Sequence, residues 1–126
     1  MKRLVGALVT ILLLAHSGNL FSATLADGNE LLRSCNIAMS SFDDIRPLKS
    51  DDYMPAGICL GTIRGILGVN GLYRVTDGPD LFCPPAIEHS QALRIIVKYL
   101  NEKPEALHED GVFLAVVALR EAFPCK

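Results

Sequence analysis

Apolar positions fall into one continuous run near the start, followed by four periodic segments. Leu4 to Ala15 is a run of 12 residues broken only by Gly6 and Thr10. Lys2 and Arg3 precede it and small residues follow it. Crossing a bilayer takes about 20 apolar residues, so this run is too short to span. A basic start, a short apolar stretch and small residues after it form the pattern of a secretory signal peptide. Cleavage fits after Ala23 or after Ala26, although Phe21 occupies the −3 position of the first site. The expected boundaries are 1–23 for the signal and 24–126 for the mature domain. An uncleaved anchor or a buried N-terminal helix is the alternative. Cys35 lies too far from the apolar run for a lipoprotein.

Helical spacing recurs four times in the remainder, and no alternating strand run competes with it. Asp27-Gly28-Asn29-Glu30 resembles a capping box. Leu31, Leu32, Cys35, Ala38, Met39 and Phe42 then follow at helical spacing, until Asp43-Asp44 and Pro47 end the segment. A second helix is expected from near Pro55, after Asp51-Asp52. Its inner stripe reads Ile58, Cys59, Thr62, Ile63, Ile66 and Val69. Gly57, Gly61 and Gly65 are four residues apart and share one face. An interior glycine costs roughly 1 kcal/mol against alanine, so the spacing predicts close approach of another helix, or else an oligomer face. Arg64 and the short length speak against membrane insertion of this helix. Asn70-Gly71 to Phe82 reads as a surface loop, with Gly78-Pro79, Asp77 and Asp80 in it. A third helix spans about Glu88 to Asn101, with Leu93, Ile96, Val97 and Leu100 inward. Pro104 stops it and opens a fourth, whose core face carries Leu107, Gly111, Leu114, Ala115, Ala118, Leu119 and Ala122. The expected fold is all-α: a small four-helix bundle-like domain stapled by two disulfides and preceded by a signal peptide.

Composition narrows the function classes. With 126 residues there is room for one domain. Half the residues are hydrophobic and 21% are charged, which excludes wholesale disorder. The formal charge is −2, and loss of Lys2 and Arg3 with the signal takes it to −4. That balance, with no tryptophan and 6% aromatics, excludes a strongly basic or base-stacking nucleic-acid binder.

Cys35, Cys59, Cys83 and Cys125 all lie in the mature chain, and an even count in an exported protein reads as two disulfides. No Cys-x-x-Cys pair points to redox or zinc chemistry. Three connectivities are open. Cys35–Cys59 with Cys83–Cys125 is favoured because each pair would join neighbouring helices. Catalytic signals are poor. His89 and His108 belong to no metal motif, and a Cys–His nucleophile needs a free thiol. Glu105, Glu109 and Asp110 beside His108 read as a solvated helix start. Arg64, Arg74 and Arg94 read as surface arginines, with anchoring of an acidic partner as the functional alternative. The chain is therefore expected to be no enzyme, to use no cofactor or metal, and to work by binding.

The second half carries a more specific pattern. Gly57-Ile58-Cys59-Leu60-Gly61-Thr62-Ile63-Arg64-Gly65 resembles the glycine-rich, cysteine-containing helix of the Rap1a/Tai immunity protein family. Phe82-Cys83-Pro84-Pro85, Gln91, Val97-Lys98-Tyr99-Leu100, Pro104-Glu105, Leu107-His108 and Ala118-Leu119-Arg120-Glu121-Ala122-Phe123-Pro124-Cys125 follow that family's order. The resemblance covers roughly 31–126. It departs at Thr62, where the family commonly has tyrosine, and in the loop 67–81.

The resemblance implies a periplasmic helical immunity protein that guards bacteria with type VI secretion. The implied partner is a cognate peptidoglycan amidase effector, a papain-like enzyme, whose active-site groove the immunity protein fills. A homodimer is also implied, and the face of Gly57, Gly61 and Gly65 would permit it. No nucleic acid and no stable membrane insertion are expected. The matching motif residues look structural, so the partner contact is expected on the loops, at Arg74, Asp77 and Asp80. The alternative is a stand-alone periplasmic helical binding or envelope-stress protein without a toxin partner.

Overall fold

A computed structural model describes residues 27–43 and 46–126. The expected signal segment and both cleavage sites lie outside the described residues. Asp27 starts the fold by capping α1 (Gly28–Phe42), its Oδ1 accepting from the Glu30 backbone N–H at 3.0 Å. Glu30 does not complete the expected capping box; its carboxylate bonds Arg33 and Ser34 instead. A 3-10 turn (Ser50–Asp52) leads into α2 (Tyr53–Val75). This helix starts two residues before the expected Pro55. Pro55 sits in the first turn, where a missing N–H costs no intrahelical bond.

Helix α2 also runs well past its expected end. Asn70, Gly71 and Arg74, expected in a loop, are its last turns. The third helix, α3 (His89–Glu102), matches the expected segment, with Glu88 as its cap. The fourth, α4 (Gly111–Ala122), starts later than expected. Pro104–Ala106 is a separate 3-10 turn, and Asp110 caps α4 by accepting from the Phe113 N–H at 2.8 Å. The described residues thus hold four α-helices and no strand, as the apolar spacing implied.

Helix α1 is central. It packs most extensively on α2 and also touches α3 and α4. Leu31, Cys35 and Ala38 of α1 meet Cys59 and Ile63 of α2, Leu93 and Ile96 of α3, and Ala115 and Leu119 of α4 in one buried core. Cys35 and Cys59 are fully buried and joined, with Cα atoms 5.2 Å apart, so the disulfide pins α1 to α2 inside that core. The starts of α1 and α4 meet closely. Gly28 N–H donates to the Glu109 carbonyl at 3.0 Å, and Asn29 bonds the Leu107 carbonyl through both its backbone and side chain. A Cβ on Gly28 would lie 3.0 Å from the Leu107 Cα, and one on Gly111 2.9 Å from the Asp27 carbonyl oxygen. Close approach requires glycine at those two positions.

The inner stripe of α2 is rotated from the expected one. Pro55, Ala56, Cys59, Ile63, Ile66 and Asn70 are buried, whereas Ile58 and Val69 are 36% and 45% exposed. The helix is apolar around much of its circumference, so spacing alone marked too wide a stripe. No helix among the described residues is long and apolar enough to cross a membrane.

Candidate partner-binding surface

Three expected contact residues lie where α2 ends. Arg74 occupies the last turn of α2, a favourable place for a cation beside unsatisfied carbonyls. Its Nε lies 3.3 Å from Asp80 Oδ1, so two of the three residues pair with each other. Asp77 is the one described non-glycine residue with a positive φ, 54°. That left-handed residue reverses the chain after the helix. Behind it Gly78 N–H donates to the Tyr73 carbonyl at 2.8 Å, the long bond of a Schellman ending. The structure thus brings Arg74 and Asp80 together and turns the chain at Asp77 between them.

This turn is anchored by residues the sequence did not mark. Asn70 is buried, with 3% exposure. Its Oδ1 accepts from the N–H groups of Leu81 and Phe82 at 2.9 and 3.2 Å, and its Nδ2 donates to the Phe82 carbonyl at 3.0 Å. Phe82, expected in a surface loop, is fully buried and heads the large side chains of the core. Cys83 N–H donates to the Phe123 carbonyl at 2.8 Å, and Cys83 is bonded to Cys125. Both favoured disulfides are therefore present. The second, however, joins the segment before α3 to the tail after α4 rather than helix to helix. The only sequence signal for Asn70 was the Asn-Gly pair, which points to a turn instead.

All four cysteines are disulfide-bonded, which leaves no thiol for a nucleophile. Asp80 lies close to the Cys83–Cys125 bridge, but bridged sulfurs offer no thiolate to a metal. His108 is an exposed side chain with Glu109 Oε1 3.4 Å from its Nε2. His89 is exposed at the start of α3 and borders a cleft with Arg64 and Arg74.

The glycine face turns away from the rest of the fold. A Cβ on Gly57, Gly61 or Gly65 would meet nothing within 4 Å. The expected internal helix packing at these three positions is not made, because α1 and α3 cover the opposite side of α2. Beside Gly65 an apolar groove of about 320 Å3 runs between α2 and α4, bordered by Val69, Leu81, Val112 and Val116.

A family model described as Rap1a immunity proteins matches residues 27–125. Comparison with curated proteins and with solved structures gives no significant match. The matched span takes in all four helices and all four cysteines.

Proposed function

The chain belongs to the Rap1a immunity protein family, and on that premise we propose that its mature domain, residues 24–126, is exported to the periplasm and blocks a peptidoglycan amidase delivered by type VI secretion. The family match over 27–125 carries this reading. Export is supported by the signal pattern of 1–23 and by two disulfides, which persist in oxidising compartments. Blocking is steric. The turn bearing Arg74, Asp77 and Asp80 enters the effector's groove, held in place by Asn70 and by the Cys83–Cys125 bridge. A pre-ordered turn loses little conformational entropy on binding, which favours tight association. The uncovered face of Gly57, Gly61 and Gly65 serves as a contact between two copies.

The test is protection in cells. A type VI peptidoglycan amidase from the same strain is directed to the periplasm, with and without the full chain. Growth is expected only with the chain present, and a chain lacking residues 1–23 should give no protection. Lysis at the same rate with the exported chain present would overturn the reading.

A further inference from the structure

Arg64 and Arg74 are the only charged residues of α2. Both border one cleft of about 410 Å3, which α2 forms with Pro84, Pro85 and His89. Ten helical positions separate the two arginines, about 15 Å along the axis. Gly68 and Gly71 lie between them, and a Cβ on either would touch nothing within 4 Å, so the α2 backbone is open to close approach there. The prolines opposite offer no N–H for strand pairing. Two acidic groups stand nearby. Asp80 pairs with Arg74, and Glu88 borders the neighbouring cleft that Arg64 and His89 also line. Arg64 joins none of the ion pairs among the described residues.

We propose that this cleft seats an extended acidic segment of the protein partner, with one carboxylate over Arg64 and a second over Arg74. Naming a protein partner rests on the immunity reading above. Charge complementarity selects the occupant, since the cleft presents two guanidiniums to solvent and arginine forks bind carboxylates in bidentate fashion. An extended chain rises about 3.3 Å per residue, so carboxylates about 15 Å apart stand four or five residues apart in the segment. The residues between them lie over Gly68 and Gly71. The carboxylate at Arg74 competes with Asp80, which makes Asp80 a brake on binding.

The test uses the oxidised mature chain and a blocked synthetic peptide with Glu at its second and sixth positions and Ala or Ser elsewhere. A matched peptide carries Gln in place of Glu. The Glu peptide is expected to shift the backbone amide signals of Gly68 and Gly71, and the Gln peptide is not. Arg64→Gln should weaken the Glu peptide by up to about fivefold, the upper end for one exposed ion pair. Asp80→Asn should strengthen it by a similar factor, and added salt should weaken it. Both substitutions are at exposed positions, and unchanged amide signals elsewhere verify the fold. Equal shifts with both peptides, or weaker binding by Asp80→Asn, would overturn the proposal. So would concentration-dependent shifts at Gly71 and His89 in the peptide-free chain, away from the Gly57, Gly61 and Gly65 face, which would assign the cleft to a second copy. The peptide result does not depend on protection in cells, so failure here leaves the immunity reading standing, and failure there removes the partner's identity but not the cleft's preference for an acidic segment.

Discussion

Asn70 holds Phe82, twelve positions on across the intervening turn, with its amide accepting from and donating to the same residue's backbone, at 3.2 and 3.0 Å. One side chain on α2 thereby replaces the strand or helix partners that the 81–82 segment lacks. Phe82 fills the core as a result, and the turn bearing Arg74 and Asp80 is carried on a fixed base.

Asn70→Ala should therefore act at two levels. It leaves two N–H groups and a carbonyl near Phe82 without their partner, at a cost of about 2–3 kcal/mol in unfolding free energy. Partner binding should fall by more than Arg74→Ala alone causes, because the whole turn is released. Urea unfolding and a binding titration on the two variants check both statements.

Much of the fold was legible because it is local. Asp27 as a cap, the apolar face of α3, and the spacing of Cys35 from Cys59 follow from helical periodicity within one or two elements. The candidate surface was less legible, because its support is not local. Asn70-Gly71 is a turn signal when read as neighbours, yet the Asn70 side chain is occupied by residues eleven and twelve positions on, which lets α2 continue. Phe82 looked like a loop residue because a single aromatic carries no period. The spacing of the α2 glycines puts them on one face, but periodicity does not state what covers a face.

Glycine substitutions separate two kinds of position. Gly61→Ala should stabilise the monomer by about 1 kcal/mol, since α2 gains helix propensity and the added methyl meets nothing. Gly28→Ala and Gly111→Ala should each destabilise by about 1–3 kcal/mol, since the methyl would press on backbone. Thermal midpoints of dilute protein read both signs. If two copies meet on the α2 glycines, Gly61→Ala should also shift sedimentation toward monomer.

The two disulfides should differ in resistance to reduction. Cys35 and Cys59 are fully buried, while Cys125 is exposed. Mild reductant followed by alkylation and mass analysis should therefore label Cys83 and Cys125 first. Loss of either bridge should lower stability by about 3–4 kcal/mol on the chain-entropy model.

Acid should weaken the fold through two ion pairs. The Arg33 hydrogen bond holds the Glu30 carboxyl below its ordinary range, and the Arg46 hydrogen bond does the same for Asp52. Their contribution is complete above the unfolded carboxylate range, near pH 4, and is lost as pH falls through the lowered folded values. Both pairs lie at the surface, so the effect is small. The combined Arg33→Gln and Arg46→Gln variant should flatten the dependence of the unfolding midpoint between about pH 5 and 2.

The most direct measurement is titration of peptidoglycan hydrolysis by a type VI amidase of the same strain against the oxidised mature chain. Immunity by steric blocking requires activity to fall linearly to zero at one chain per enzyme, with no peptidoglycan turnover by the chain itself. Undiminished hydrolysis at a tenfold excess of chain, with the same amidase lethal in the periplasm, would contradict it.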